Sequence, residues 1–157
     1  MKAVIVTGAS RGLGRAIALR FGSAGYSIAV NFRERIKEAE DVAGKIEKMG
    51  GKAVLIKADI RNNDDVSGMI DLTISAFGRI DILINNAAIN RDSLLINMDE
   101  FDWKDVIDTN LKGAFRCMRA AAGMMAKSGG GHIVNISSFA GLSGRRGQAC
   151  YAASKAG

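Results

Sequence analysis

The chain has 157 residues, of which 48% are hydrophobic and 24% charged, the range of one ordinary globular domain with a sizeable core. Two cysteines exclude a disulfide scaffold, no apolar run reaches the ~18 residues of a membrane span, and the start MKAVIVTGAS lacks the block order of a signal peptide, so a cytoplasmic, reducing setting is expected. The net charge of +6 points to an anionic partner such as a nucleotide or an acidic carrier, but the basic residues are scattered rather than striped, which argues against nucleic acid.

Short β-branched runs alternate with longer helical patterns, and each run is nearly all apolar, as a parallel strand buried on both faces is. The first, Lys2 to Thr7, leads into Thr7-Gly8-Ala9-Ser10-Arg11-Gly12-Leu13-Gly14 and then a helix from Leu13 to Ala24. A glycine loop between a strand and a helix offers backbone N–H groups and the positive helix end to a pyrophosphate. Gly8 suits the tight turn, Gly12 lets the cofactor approach the backbone, and Gly14 lets helix and strand pack closely, with Ser10, Arg11 and Leu13 completing the cradle. The spacing is GxxxGxG rather than the commoner GxGxxG. The second strand, Ser27 to Asn31, runs into Phe32-Arg33, with no carboxylate where one would accept the ribose 2′-hydroxyl of NAD. Arg33 and Arg11, with Asn31 beside them, fit the 2′-phosphate of NADP(H); the competing reading of Arg33 is a solvated first-turn residue of a helix from Arg33 to Met49.

A strand from Ala53 to Lys57, a helix from Asn63 to Phe77, a strand from Ile80 to Asn85 and a helix from Asp99 to Lys127 follow. In that last helix Ile107, Leu111, Ala114, Phe115, Met118, Ala122 and Met125 have the spacing of a buried stripe, with Asn110 beside it. His132 to Ser137 reads as a fifth strand, and Ala149 to Gly157 starts another helix. The sum is a doubly wound parallel α/β sheet, a Rossmann fold of five strands in a single dinucleotide-binding domain over residues 1–157, expected to be incomplete at its C-terminus for want of a sixth strand.

Tyr151 and Lys155 are four apart on the predicted helix and so share a face. A lysine ammonium beside a phenol favours its ionised form, which equips the tyrosine to pass a proton. Ser138 ends the fifth strand at the carboxyl edge, where ligands of such sheets bind, and Ser137 is its rival because adjacent strand residues point opposite ways. The other conspicuous residues read as structure. His132 has no second ligand nearby and no metal site is expected; Cys150 reads as a core thiol, and Trp103, Met124 and Met125 as helix packing.

With these residues in place, the chain resembles the short-chain dehydrogenase/reductase family over essentially its full length. The likeness rests on Thr7-Gly8-x-x-x-Gly12-x-Gly14, Asp59, Asn85-Asn86-Ala87, Asn110, Ser138 and Tyr151-x-x-x-Lys155, in order and at family spacing. It implies that Ser138 orients a substrate carbonyl, Tyr151 is the general acid/base, Lys155 tunes that tyrosine and holds the nicotinamide ribose, and Asn110 supports a proton-relay water. Asp59 and Ile60 would line the adenine pocket, and Asn86 and Ala87 a wall of the cofactor cleft. Within the family, the runs from Asn85 to Leu95 and from Gly147 to Gly157 look like the 3-oxoacyl-[acyl-carrier-protein] reductases. Two departures are Ala88, where members usually carry glycine, and the glycine-rich Gly129-Gly130-Gly131, where these reductases tend to be basic; Arg145 and Arg146 either replace that charge or are solvated loop residues.

The implied activity is NADPH-dependent reduction of a ketone, foremost a 3-oxoacyl thioester on acyl carrier protein or coenzyme A, by a homo-oligomer, a tetramer by family likeness. Alternatives are the same chemistry on a sugar, polyol or steroid, and a non-catalytic nucleotide-binding module. Residues 1–157 alone are expected to be unstable and inactive, with the fifth strand an open apolar edge.

Overall fold

The computed structural model describes all 157 residues. Five parallel strands, β1 (Ala3–Val6), β2 (Ser27–Phe32), β3 (Lys52–Lys57), β4 (Ile82–Asn85) and β5 (His132–Asn135), form one sheet in the order β3-β2-β1-β4-β5. The order reverses between β1 and β4, which opens a crevice at their carboxyl ends. Helices α1 (Gly12–Ser23), α2 (Ile36–Lys48), α3 (Asn63–Phe77), α4 (Glu100–Ile107), α5 (Gly113–Lys127), α6 (Ala140–Ser143) and α7 (Ala149–Ala156) join and cover the strands. The predicted βαβαβαβαβ order and parallel sheet are present.

Two clusters make the core, one on each face of the sheet. Ile28, Val30 and Val4 meet Val42 and Ile46 of α2 and Ala18 of α1 in the first; Ile5, Ile56 and Leu83 meet Met69 and Ile70 of α3 and Cys117, Ala121 and Met125 of α5 in the second. Alternate residues of β1 therefore serve opposite faces, as the two-residue period of a strand requires. Burial on both faces holds for the central β1 and for β2, but not for the sheet margins, where β3 and β5 each have one strand neighbour and every residue of β5 is exposed. Nearly continuous apolarity thus overstated the cover on the outer strands.

The helix expected from Asp99 to Lys127 is broken by a π-helical turn at Asp108–Lys112. Its expected stripe is also corrected. The residues buried against the sheet are Gly113, Cys117, Ala121 and Met125, whereas Phe115 and Ala122 are exposed. At the start of α5 the approach is so close that a Cβ on Gly113 would come within 2.7 Å of Ile60 Cδ1, so the inward face there takes glycine, then Cys117 and Ala121, and a large side chain, Met125, only at the far end. Trp103, expected to pack, is also exposed, whereas Cys150 and Met125 are buried and Met124 is half-buried.

Gly14 separates the two meanings of glycine in a helix. A Cβ there would overlap the Asn86 amide and the Gly8 carbonyl, while one on Gly44 in α2 would meet nothing within 4 Å. Gly14→Ala should lower stability by about 1–3 kcal/mol through overpacking, and Gly44→Ala should raise it by about 0.5–1 kcal/mol through helix propensity. Urea denaturation of both variants measures the contrast; equal effects would contradict the close approach of α1 to β4.

Candidate functional site

The crevice is organised by three polar side chains that saturate backbone groups at the strand ends. Thr7 Oγ1 donates to the Ile84 carbonyl (3.3 Å) and accepts from the N–H groups of Asn86 and Ala87 (both 3.0 Å). Asn86 Nδ2 donates to the carbonyls of Thr7 (2.9 Å) and Gly8 (3.3 Å). Asn31 Oδ1 accepts from Gly8 N–H (3.1 Å), and its Nδ2 donates to the carbonyls of Ile56 (3.3 Å) and Ala58 (3.1 Å). The loop after β1 is therefore clamped to β2, β3 and β4 at once.

Between these strand ends lies a cavity of about 390 Å³. Gly8, Ser10, Arg11, Gly12, Leu13 and Gly14 form one side of it. Gly8 and Gly12 have φ of +63° and +56°, conformations that other residues adopt only under strain. The N-terminus of α1 has no side-chain cap and its first turn no acidic residue. The first-turn N–H groups of any α-helix lack intrahelical partners, and here Gly12, Leu13 and Gly14 present theirs with the positive helix end beside the cavity. That arrangement fits the pyrophosphate of a dinucleotide.

Arg33, Asp59 and Ile60 also line the cavity. Glu34 and Arg35 join them, so the region is not free of carboxylates: Arg33 Nη2 pairs with Glu34 Oε1 at 2.8 Å. Asn31 also borders the cavity, but both donors of its amide and one acceptor site are taken by backbone, so its visible work is to hold Gly8. Hydrogen bonds from the Arg61 guanidinium hold the Asp59 carboxyl below the usual carboxylate range, against the opposing effect of its partial burial. Asn86 and Ala87 close the opposite wall, and the buried Thr109 hydroxyl, with no hydrogen-bond partner, borders the same space.

A second cavity, of about 250 Å³, adjoins the first across Ile60 and Ala87 and reaches Asn110, Ser137, Ser154 and Lys155. Asn110 lies within the π turn, a helical irregularity that re-aims side chains at many functional sites. Its Oδ1 accepts from Ile89 N–H (2.8 Å), and its Nδ2 donates to the Ile89 carbonyl (2.9 Å) and to Ser154 Oγ (3.0 Å). Ser154 in turn donates to the Tyr151 carbonyl (2.8 Å). Asn110 thus locks the segment after β4 to the helix bearing Tyr151 and Lys155.

On that helix Lys155 Nζ lies 5.9 Å from the centre of the Tyr151 ring and donates to the Ile136 carbonyl at 2.6 Å. Burial lowers the pKa of the ammonium below its ordinary value. Ser137 and Ser138 both fall beyond the end of β5. Ser137 Oγ donates to the Lys155 carbonyl (2.8 Å), whereas Ser138 Oγ accepts from Ala140 N–H (3.2 Å) at the entry to α6. Ser137 borders the second cavity; Ser138 lies outside both.

The model for short chain dehydrogenases matches residues 2–157. The chain belongs to the short-chain dehydrogenase family. It is 47% identical over 156 residues to the 3-oxoacyl-[acyl-carrier-protein] reductase FabG of Staphylococcus aureus strain Mu50, covering 99% of this chain and 63% of that protein. Against the 3-oxoacyl-[acyl-carrier-protein] reductase of Synechocystis sp. identity is 45% over 153 residues, or 98% of this chain and 62% of that one. A solved short chain dehydrogenase from Mycobacterium avium superposes with a TM-score of 0.93 at 38% identity, covering 99% of this chain and 59% of that structure. The chain therefore spans a little under two thirds of these family members.

Sequence reasoning missed the clamps: Thr7 as a hydroxyl hub, Ser154 as the link between Asn110 and Tyr151, and Thr109 beside the cleft. Ser154, three residues after Tyr151, carried the only readable hint. Removing the Asn110 side chain would strip the Ile89 N–H and carbonyl of their partners, so Asn110→Ala should lower stability by about 1–3 kcal/mol. Asn110→Asp keeps the acceptor but sets a buried carboxylate oxygen against the Ile89 carbonyl, and should lose at least as much. Parallel denaturation curves test both, and no loss in either variant would contradict the paired bonds to Ile89.

Proposed function

We propose that this family member binds NADP(H) in the cleft and reduces a ketone, foremost a 3-oxoacyl thioester. The observation that carries the reading is the joining of an uncapped helix N-terminus, fit for a pyrophosphate, to a cavity bordered by Lys155, whose ammonium stands over the Tyr151 ring. The names of the relatives favour the acyl thioester over a sugar, polyol or steroid.

A bound nicotinamide supplies the hydride, and this chain's residues supply position and proton. Tyr151 donates its phenolic proton to the substrate oxygen as the carbonyl carbon is reduced, and the Lys155 ammonium offsets the negative charge left on the phenol. Ser138 or Ser137 hydrogen-bonds the carbonyl oxygen; Ser138 Oγ accepts from Ala140 N–H and keeps its own proton to donate, whereas Ser137 gives its proton to the Lys155 carbonyl and must release it first. Asn110 holds the Tyr151 helix against the segment after β4. Arg145 and Arg146, exposed and outside every ion pair, offer positive charge to an acidic carrier protein.

For the cofactor, Arg11 and Arg33 favour a 2′-phosphate. NADPH should bind more tightly than NADH in a fluorescence titration, Arg33→Asp should reverse the order, and Glu34→Gln, which frees Arg33, should tighten NADPH. Tighter binding of NADH by the unsubstituted protein would overturn the assignment.

For the chemistry, Tyr151→Phe in a complete enzyme should abolish NADPH oxidation with an acetoacetyl thioester and leave NADPH affinity within about twofold, since it removes a transferable proton and little surface. Lys155→Ala should impair both. An active Tyr151→Phe protein would remove the tyrosine from the proton transfer.

A further inference from the structure

Asp105, on α4, is the one carboxylate in the molecule that receives two guanidinium groups, one from the segment after β3 and one from the segment after β4. Its Oδ1 accepts from Arg61 Nη1 at 2.7 Å and its Oδ2 from Arg91 Nη2 at 3.2 Å, and only a tenth of the side chain is exposed. Each arginine leads somewhere different. Arg61 turns its other edge on Asp59: Nε lies 3.1 and 3.0 Å from the two carboxylate oxygens and Nη2 2.6 Å from Oδ2. Asp59 borders the cofactor cleft.

Arg91 lies in the segment after β4. Its carbonyl accepts from Cys150 Sγ at 3.5 Å, next to Tyr151, and Ser93 N–H, two residues on, donates to the Gly147 carbonyl at 2.9 Å. Arg91 Nε also stands 3.6 Å from Asp102, the remaining charged group at this junction. Isolated surface ion pairs contribute little. A largely buried carboxylate shared by two guanidinium groups, one of them forked onto a second carboxylate, fixes orientation as well as charge.

We propose that Asp105 is a positioning residue that couples the cleft at Asp59 to the segment bearing Ile89 and Arg91, and through it to the Tyr151 helix. The inference rests on the cofactor reading above. Occupation of the cleft beside Asp59 then steadies Arg61, Asp105 and Arg91 together, so that a bound cofactor and an ordered Tyr151 helix favour each other. Such a coupling is reciprocal, and Arg91 must therefore affect binding in a cleft it does not border.

The test is titration of the protein with 2′,5′-ADP, which lacks the nicotinamide half, alongside thermal denaturation. Arg91 is half-exposed, and the bonds that tie its segment to Cys150 and Gly147 are made by backbone, so Arg91→Gln removes the ion pairs and spares those bonds. The expected result is a roughly fivefold loss of 2′,5′-ADP affinity in Arg91→Gln, the same direction of loss in Asp105→Asn, and no further loss in the double variant. Asp105→Glu should recover most of the affinity. Unchanged affinity in Arg91→Gln, or losses that simply add in the double variant, would overturn the coupling and leave the cofactor reading standing. Failure of the unsubstituted protein to bind 2′,5′-ADP would overturn both. If Asp105→Asn does not fold, Arg91→Gln against Arg91→Lys decides, with the lysine expected to bind better.

Discussion

The functional architecture depends on the immobilisation of the loop after β1. A loop that presents N–H groups to an anion cannot use those groups to hold itself in place, so its remaining polar atoms must be held from outside. Asn31 from β2 takes Gly8 N–H, Asn86 beyond β4 takes the Gly8 carbonyl, and Thr7 joins the end of β1 to the segment that begins the opposite wall. These bonds are part-buried, where leaving a donor or acceptor unpaired carries a penalty larger than the net worth of the bond itself. The result is a cradle held by its neighbours, with the first-turn N–H groups of α1 left without a side-chain cap beside the cavity.

From that fixed edge the rest of the site is positioned in two stages. The Asn86-Ala87 wall leads to Ile89, and Asn110 grips both polar atoms of the Ile89 peptide from within a π turn. Ser154 then passes the register to the backbone of Tyr151. Asp108, at the start of the same turn, is held by Lys104 and Lys112, whose hydrogen bonds lower its pKa to about 2. Its contribution is present above the ordinary carboxylate range and fades as pH falls toward that value. The polar chain from Thr7 to Tyr151 passes through side chains with several hydrogen-bonding groups each, which is what lets single residues join two segments.

The fold was legible because its signals were local. Apolar runs alternating with helical patterns gave the five strands and their order along the chain, and the glycine loop fell where the first strand meets the first helix. What escaped was set by tertiary distance. Phe115 and Ala122 match a buried period as well as Cys117 and Ala121 do, and only the proximity of Gly113 to Ile60 shows which face of α5 turns inward. Val134 reads as a buried strand residue, yet its strand lies at the sheet margin and it is 43% exposed. In the site, Tyr151 and Lys155 were visible as a pair because helical spacing brings them together, whereas Asn31 could be placed at the cleft but not seen to be engaged by three backbone groups. Glu34, adjacent to Arg33 in sequence, was readable and decides how free that arginine is.

The central claim is that a pre-set cradle at the end of β1 holds the dinucleotide, and Thr7→Val tests it most directly because it keeps the shape of the side chain and removes only its hydroxyl. NADPH affinity, measured by fluorescence titration on folded protein, should fall about tenfold, the equivalent of about 1.4 kcal/mol, as the Asn86 and Ala87 N–H groups lose their acceptor. Affinity equal to that of the unsubstituted protein would contradict the claim, since the cradle would then be held without the bonds assigned to it.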